Sequence, residues 1–175
     1  NQDLWRGTKK LDGGVLMNQA IHFIDLLTWL FGPLEKKQVL RAKLERKIET
    51  EDCAVLNLFF KKKIICSLSA SMLTNNKNYE GSITIIGKKG IIKIGGTALN
   101  RIVDWNIKGN EMNEKIKNNL HHNINKIYGS GHKSIYDEIY KFYNKKKSKI
   151  IFGNEGSQSI KLIDSLYKKN KLLHG

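Results

Sequence analysis

The apolar positions near the start of the chain predict one long helix. Between Gly14 and Phe31, good helix formers run without an internal glycine or proline, and Gly32-Pro33 follows as a stop signal. At about 100° per residue, four residues fall on one stripe: Asn18, His22, Asp25 and Trp29. Apolar side chains cover most of the remaining surface, so we expect a helix that is buried nearly all round, with one polar seam.

The middle of the chain shows the alternation of apolar and polar residues that is typical of strands. Strands are predicted at Gln38–Lys47, Cys53–Phe60, Ile64–Met72, Ser82–Ile86, Ile91–Ile94 and Arg101–Ile107. The connections between several of them are too short for parallel crossovers: Lys61-Lys62-Lys63 and Gly87-Lys88-Lys89-Gly90. The sheet should therefore be largely antiparallel and built from hairpins.

Helical patterns return in the last third of the chain. A polar helical stretch is predicted from Asn113 through Tyr128, with a break at Gly129-Ser130-Gly131. Two amphipathic helices follow: Lys133–Asn144, with Ile135, Ile139 and Phe142 on one stripe, and Glu155–Lys169, presenting Ile160, Ile163, Leu166 and Tyr167. Because there is no repeat or low-complexity linker, residues 1–175 are expected to form a single α+β domain, a largely antiparallel open sheet with helices packed on one face.

The strongly positive net charge raises two possible partners, nucleic acids and small anionic substrates. The chain has 31 Lys and Arg against 16 Asp and Glu, a formal charge of +15, and dense positive charge is typical of nucleic-acid binding. Base recognition, however, favours arginine over lysine, and the lysines are spread along the chain beside only four arginines: Arg6, Arg41, Arg46 and Arg101. We expect a solvated surface that attracts small anionic substrates rather than a nucleic-acid footprint.

The cysteines and histidines show no disulfide or metal pattern. Cys53 and Cys66 each lie in an apolar strand-like run, where thiols usually act as small core hydrophobes. The histidines have no cysteine or carboxylate partners at ligand spacing: His22, His121, His122, His132 and His174. We expect no metal site. His132 is interpreted as structural or supporting, and the pair at 121 and 122 as surface residues.

The hydropathy of the chain and its first residues show neither a membrane span nor a signal peptide. Polar residues interrupt the longest apolar candidate, Val15–Phe31, so no run reaches the roughly 18 residues of a membrane span. Asn1-Gln2-Asp3 lacks the basic flank and apolar stretch of a signal peptide. The expectation is a soluble, cytoplasmic protein.

The glycines do not form a dinucleotide site. Such a site needs a strand, a G-x-G-x-x-G turn and a helix whose N-terminus receives the pyrophosphate. The glycine pairs here lie between strands instead: Gly87 with Gly90, and Gly95 with Gly96. We interpret them as turn residues, and we expect the chain alone to hold no nicotinamide dinucleotide.

The stretch from Asp12 to Leu27 carries the chemistry. It reads Asp-Gly-Gly-Val-Leu-Met-Asn-Gln-Ala-Ile-His-Phe-Ile-Asp-Leu-Leu, with His22 one turn after Asn18 and three residues before Asp25. From the pattern alone, His22 is either a satisfied core histidine or a functional one.

This stretch resembles the motif that opens the main helix of the C-terminal domain in Gfo/Idh/MocA oxidoreductases. Trp5-Arg6-Gly7-Thr8 is similar to the approach segment of members that oxidise nucleotide-linked sugars, above all the UDP-N-acetylglucosaminuronate dehydrogenases. Gly131-His132 and Phe152-Gly153-Asn154-Glu155-Gly156 also fit the family's second domain, so the resemblance covers nearly the whole chain.

The resemblance implies the substrate-side domain of an NAD- or NADP-dependent enzyme that transfers a hydride from a sugar carbon, with the N-terminal dinucleotide-binding domain absent from this chain. It implies that His22 is the acid/base or substrate-orienting residue, beside a lysine from a Glu-Lys-Pro motif of the absent domain. Asn18 stands where the family usually has aspartate. An amide cannot act as a base, but it can bind a sugar hydroxyl or hold an imidazole.

Three further residues are candidates with an alternative left open. Asp25 either supports His22 by fixing its tautomer or pairs with a cation of the fold. Arg6 and Lys9 either bind a carboxylate or phosphate of the substrate or belong to the general surface charge.

Assembly gives rise to a second hypothesis about function. Cys53–Phe60 has apolar residues on both faces, and family members pack this sheet against another subunit, so we expect a homodimer or homotetramer. The alternative function is a cofactor-free binding or self-association module with the same fold.

Overall fold

A computed structural model describes residues 5–74, 79–96, 99–112, 131–169 and 171–174. Their elements in chain order are a π-helical turn (Leu16–Ala20), α1 (Ile21–Phe31), β1 (Leu34–Lys43), β2 (Cys53–Phe60), β3 (Ile64–Ser71), β4 (Ile83–Gly87), β5 (Gly90–Gly95), β6 (Arg101–Ile107), α2 (Gly131–Tyr143), α3 (Gly153–Lys169) and β7 (Leu172–His174). The chain divides into two compact units, Asn1–Asn75 with Ile151–Gly175, and Asn76–Ile150.

The first unit is built on a four-stranded sheet in the order β3-β2-β1-β7. The pairs β1–β2 and β2–β3 are antiparallel, as the short connections predicted. β7 pairs in parallel with β1, from Arg41 opposite Leu172 to Lys43 opposite His174. The sequence did not predict this strand, because three residues are too few to show a period. Its parallel direction is possible because α3 returns the chain to the sheet edge.

The core of the first unit lies between this sheet and the two helices. β2 contributes one alternating face, and the π-turn with α1 and α3 contributes the rest: Val15, Leu16, Ala20, Ile24, Leu27, Ala54, Leu56, Leu58, Phe60, Ile163 and Leu166. Phe31 packs edge-on against Phe60, with ring centroids 5.4 Å apart. Of the residues predicted for α3, Ile163 and Leu166 are buried, but Ile160 is half exposed.

The first helix is buried on one side only, which corrects the expectation of burial nearly all round. Leu30 is 39% exposed, and Phe23 and Leu26 are only half-buried, because the sheet and α3 cover mainly the side that carries Ile24 and Leu27. Trp29, 73% exposed, lies on the predicted polar seam. The predicted stop is confirmed. Gly32 has φ +84, in the left-handed region that favours glycine, and its N–H donates to the Thr28 carbonyl.

β1 begins earlier and ends earlier than predicted. The predicted strand continued to Lys47, whereas the observed strand stops at Lys43. The physical reason is the buried carboxylate of Asp52, which accepts the backbone N–H groups of Leu44, Glu45 and Arg46 at 2.8–3.1 Å. Those amides turn towards a side chain instead of continuing the ladder.

The second unit contains a three-stranded antiparallel sheet in the order β4-β5-β6. The β4–β5 hairpin turns at Gly87 to Gly90 as predicted, and Gly90 has φ +147. A Cβ at Gly90 would lie 1.8 Å from the Asn106 carbonyl oxygen, so the backbones approach too closely for another residue. Helix α2 has no buried residue, and its predicted stripe leaves Ile135 and Phe142 exposed.

The predicted single sheet is therefore two sheets among the described residues. β3 pairs with β2, β4 pairs with β5, and no ladder between β3 and β4 appears in the part of the chain that the structure describes. Alternation predicts strands but not which hairpins join, because joining depends on long-range register. The polar helix predicted from Asn113 through Tyr128, with His121 and His122, lies outside the described residues.

Candidate functional site

The candidate site lies on the exposed side of the first helix. Asn18 belongs to the π-helical turn, and His22 is the second residue of α1. Asn18, His22 and Asp25 are all exposed, and the opposite side of the same helix is core. π-turns inside helices often mark functional sites. The polar seam is thus an accessible surface on a helix that packing holds in place.

Asn18 is fixed by a carboxylate from the preceding loop. Its amide nitrogen donates to Asp12 Oδ1 at 2.5 Å, and its amide oxygen accepts from Gln19 Nε2 at 2.6 Å. The other oxygen of Asp12 accepts the Gly7 N–H at 2.7 Å. Asp12 therefore joins the approach segment around Gly7 to the helix, and it places a carboxylate beside the amide of Asn18.

Asp25 has a partner on another helix. Its Oδ1 accepts a hydrogen bond of 2.6 Å from the Ser159 hydroxyl of α3. Ser159 is buried, whereas Asp25 is largely exposed. Among the described residues, no hydrogen bond joins Asp25 to His22. The contact that Asp25 makes with Ser159 joins two helices of the fold, and a role for Asp25 in orienting the imidazole remains a prediction.

Residues Trp5–Lys9, which we refer to as the approach segment, have two exposed cations, Arg6 and Lys9. The guanidinium of Arg6 lies over the Trp5 ring, 5.7 Å from the centroid. The backbone N–H of Lys9 donates to the Glu49 carboxylate at 2.8 Å, which holds the main chain while the ammonium stays at the surface. Two positive side chains are thus available to an anionic ligand.

The start of the helix is anchored by a buried ionic cluster. Glu51, which is 0% exposed, accepts the Leu16 N–H at 3.2 Å and the Tyr167 hydroxyl at 2.8 Å. Arg41 lies 3.4 Å from the second oxygen of Glu51 and 4.6 Å above the Tyr167 ring centroid. Burial, followed by the neighbouring Glu51 carboxylate, raises the pKa of the Tyr167 hydroxyl, so that it stays protonated and donates.

Other residues of interest belong to other elements of the fold. His132 is an exposed residue of α2, and His174 is an exposed residue of β7. Cys53 and Cys66 are free and half-buried. Cys66 packs against the core as predicted, but Cys53 lies on the opposite face of the sheet, because the two positions have opposite parity in their strands. Within residues that the structure describes, no group of three or more His, Cys, Asp or Glu side chains is arranged to hold a metal.

At two of the helix starts that the structure describes, a carboxylate already accepts a backbone N–H group. The helix start at Leu16 would suit a pyrophosphate, but the Glu51 carboxylate already occupies it and repels phosphate. At the start of α3, the Glu155 carboxylate accepts the Phe152 N–H and places negative charge there too.

Of the helices that the structure describes, none combines the length and apolar character needed to cross a bilayer.

Sequence reasoning missed the residues that hold the site together. Asp12, Glu49 and Glu51 were not singled out as site residues, and Arg41 and Tyr167 were read as surface charge and helix face. The available signal was weak. Glu51-Asp52 directly precedes an apolar strand, and carboxylates in such a position are buried only when paired.

Comparisons with known proteins match nearly the whole chain to one family of oxidoreductase domains. The family described as "Oxidoreductase family, C-terminal alpha/beta domain" matches residues 1–171. The WlbA dehydrogenase of Bordetella pertussis, solved with NADH and UDP-GlcNAcA, is 37% identical with a TM-score of 0.85, over 95% of this chain and 48% of that one. No protein with a curated description matches significantly.

Two further structures extend this result. The WlbA dehydrogenase of Chromobacterium violaceum, also solved with NADH and UDP-GlcNAcA, is 37% identical with a TM-score of 0.82, over 94% of this chain and 46% of that one. A levoglucosan dehydrogenase with NADH, 17% identical with a TM-score of 0.68 over 94% of this chain and 50% of that one, shares the fold. The chain spans about half the length of these dehydrogenases. Since the family match covers nearly every residue, the chain belongs to the Gfo/Idh/MocA oxidoreductase family, as its C-terminal α/β domain.

Proposed function

We propose that this chain is the substrate-side domain of a nicotinamide-dependent dehydrogenase that acts on a hydroxyl of a nucleotide-linked sugar acid. The observation that carries the proposal is 37% identity, over 95% of the chain, to a dehydrogenase solved with NADH and UDP-GlcNAcA. The exposed seam on α1 supports it, because a rigid helix presents an imidazole and an amide together to solvent.

His22 is proposed as the residue that takes or gives the proton of the sugar hydroxyl. An imidazole suits proton transfer near neutral pH, and its exposure leaves it accessible to a substrate. Asn18, held by Asp12, is proposed to bind a neighbouring hydroxyl, since an amide offers both a donor and an acceptor. Asp25 is proposed as a supporting residue.

Arg6 and Lys9 are proposed to meet the negative charge of the substrate. A nucleotide-linked sugar acid carries phosphates and a carboxylate, and the guanidinium fork matches either group with two parallel hydrogen bonds. Both side chains are exposed, and both lie on the segment that Asp12 and Glu49 fasten beside the helix. The formal charge of +15 favours the approach of such an anion.

NAD or NADP is proposed to be held by an N-terminal dinucleotide-binding domain that is not part of this chain. The carboxylates at the helix starts near Leu16 and Phe152 support this division, since negative charge there disfavours a phosphate. The steps assigned to this chain are therefore binding, orientation and proton transfer only. The proposal includes a cytoplasmic location, where a nicotinamide-dependent enzyme finds its cofactor.

The open face of the four-stranded sheet supports a proposal about assembly. On the face opposite the core, Leu40 is 59%, Val55 38% and Ile65 78% exposed, and Leu40 pairs with Val55 across the β1–β2 ladder. Adjacent apolar residues of this kind are usually covered. We propose a homodimer or homotetramer through this face. The same observation favours the second candidate function, a self-associating module without catalysis.

Turnover by the intact enzyme, with its dinucleotide-binding domain, separates these functions. The assay follows the absorbance of NADH as the intact enzyme oxidises UDP-GlcNAcA with NAD. Turnover at about 1–1,000 per second, the usual range for enzymes, supports the dehydrogenase. Complete inertness towards nucleotide-linked and free sugars, in a preparation that binds NADH, favours the self-associating module instead.

A further inference from the structure

One short segment contacts both parts of the chain that carry predicted site residues. Glu49, Thr50 and Glu51, which we refer to as the clamp segment, lie between β1 and β2. Towards the approach segment, the Glu49 N–H donates to the Gly7 carbonyl at 2.8 Å, and the Glu49 carboxylate accepts the Lys9 N–H at 2.8 Å. These two hydrogen bonds fix the main chain between Arg6 and Lys9.

Towards the helix, the clamp segment supplies the cap that the helix lacks. Val15 at the N-cap position makes no side-chain cap hydrogen bond. Instead, the Glu51 carbonyl accepts the Val15 N–H at 2.9 Å, and the Glu51 carboxylate accepts the Leu16 N–H at 3.2 Å. Negative charge at this end also interacts favourably with the helix dipole.

Close packing makes this contact specific. A Cβ on Gly14 would lie 2.4 Å from both Glu51 Cδ and Thr50 Oγ1, so only glycine lets the chain approach the clamp segment. Contacts this close leave the helix start little room to shift relative to the clamp segment.

The buried cluster of Glu51, Arg41 and Tyr167 is not explained by stability alone. Glu51 and Arg41 are both buried, and replacing buried ion pairs by packed apolar residues is often neutral or stabilising. The Glu51 carboxylate instead gathers hydrogen bonds from two separate elements, Leu16 at the helix start and Tyr167 on α3. An arrangement of this kind fixes geometry more than it adds free energy.

We propose that the clamp segment is a positioning element that holds the helix bearing Asn18 and His22 in a fixed relation to the approach segment bearing Arg6 and Lys9. Glu51 acts through the helix start, and Glu49 acts through the approach segment. Neither residue touches the substrate. The inference rests on the proposed function for its catalytic consequence, but the geometric part can be tested without turnover.

The test compares Glu51→Ala, Glu51→Gln and Tyr167→Phe in the intact enzyme, with Glu35→Gln as the control because Glu35 is an exposed glutamate of β1. We expect Glu51→Ala to lower kcat per folded molecule by about a hundredfold, since small misplacements of reacting groups have effects of that size. Glu51→Gln should restore much of the rate, because its amide oxygen still accepts the Leu16 N–H. Substrate KM should change less than kcat.

Two readouts do not depend on activity. Hydrogen exchange at the Leu16 amide should become faster in Glu51→Ala and Tyr167→Phe, and the NMR resonances of the His22 ring should move. Glu35→Gln should change neither readout. If Glu51→Ala does not fold, Tyr167→Phe carries the test, since it loses only the hydroxyl and should lower kcat about tenfold.

The outcomes separate the two proposals. An inactive wild-type enzyme would refute the proposed function, and the clamp would then be judged from exchange and His22 resonances. Unchanged exchange at Leu16 and unchanged His22 resonances in the variants would overturn the clamp, whatever the activity. Normal kcat per folded molecule in an active enzyme whose Leu16 exchange has become faster would also overturn it.

Discussion

The buried hydroxyl of Ser159 donates a hydrogen bond of 2.6 Å to the carboxylate of Asp25. Ser159 lies on α3, and Asp25 lies one turn after His22 on α1. Because Glu51 holds the start of the same helix, the segment with Asn18 and His22 is fastened on both sides of the candidate site. Both fastening points join residues far apart in sequence, so the site requires the folded first unit.

Asp52 gives a prediction about acid stability. Burial raises the pKa of its carboxyl, but hydrogen bonds from the N–H groups of Arg46, Glu45 and Leu44 outweigh burial and hold the pKa below its usual value. Asp52→Asn should therefore lower the free energy of unfolding at pH 7 by about 1–3 kcal/mol. A depressed folded-state pKa stabilises above the unfolded pKa, near 3.9, and the benefit fades as pH falls through the folded value.

Denaturant unfolding from pH 7 to pH 2 measures this difference. The gap between the wild type and Asp52→Asn should be constant above about pH 5 and shrink below about pH 4. Asp104→Asn, an exposed aspartate of β6, is the control and should have little effect. A gap that stays the same down to pH 2 would contradict the role of the charged carboxylate.

Gly14 and Gly156 predict opposite effects of the same substitution. A Cβ at Gly14 would overlap Glu51 and Thr50 at 2.4 Å, whereas a Cβ at Gly156 in α3 meets nothing within 4 Å. Gly14→Ala should destabilise by about 1–3 kcal/mol through overpacking. Gly156→Ala should stabilise by roughly 0.5–1 kcal/mol, because alanine favours helix. Thermal unfolding measures both, and equal shifts would show that the helix start is not tightly packed.

The open sheet face predicts how assembly can be broken. Ile65 on β3 is 78% exposed and Ile86 on β4 is 77% exposed, so a change at Ile86 is a matched control for the same change at Ile65. Ile65→Asp should shift the intact enzyme to monomers if the four-stranded sheet is the interface, since a buried unpaired charge is costly. Ile86→Asp should leave the assembly unchanged. Sedimentation velocity measures the species, and a wild type that is monomeric at high concentration would refute the assembly.

Local patterns predicted most of the elements and not their long-range arrangement. β2 and β6 have the predicted bounds, because clean alternation ends at turn residues. β1 was predicted to continue past Lys43, but Asp52 takes the next three amides from positions six to eight residues away, a contact that no local pattern reports. The parallel partner β7 and the separation into two sheets depend on pairings between distant segments.

The candidate site was predicted in its residues but not in its support. Helical spacing placed Asn18, His22 and Asp25 on one face, and the structure has them there, exposed. The hydrogen bonds that hold the face come from Asp12, Ser159 and a buried Glu51. Those partners come from a loop, another helix and the segment between β1 and β2, and they come together only in the folded chain.

Nicotinamide binding gives a prediction for the chain by itself. With the helix starts at Leu16 and Phe152 occupied by the carboxylates of Glu51 and Glu155, this chain should bind NADH negligibly, weaker than about 1 mM, an affinity worth only about 4 kcal/mol. Titration calorimetry or nicotinamide fluorescence measures the affinity. A dissociation constant in the micromolar range would show that a cofactor site has been missed.

His22 gives the prediction on which the proposed chemistry depends. In the intact enzyme, His22→Asn should lower turnover by roughly a hundred- to ten-thousand-fold, the usual effect of losing an acid/base group. Because His22 is exposed and the opposite side of its helix forms the core, the melting temperature should hardly change. Nicotinamide affinity should also be retained, since the cofactor is held elsewhere.

A control and a paired measurement separate chemistry from folding. His174→Asn changes another exposed histidine of the same unit and should leave turnover at the wild-type level. Melting temperature and turnover per folded molecule should be taken on one preparation of each variant, because a structural histidine lowers both the stability and the amount of active protein together. A destabilised His22→Asn enzyme with normal turnover per folded molecule would refute the assignment, and another residue would then have to move the proton.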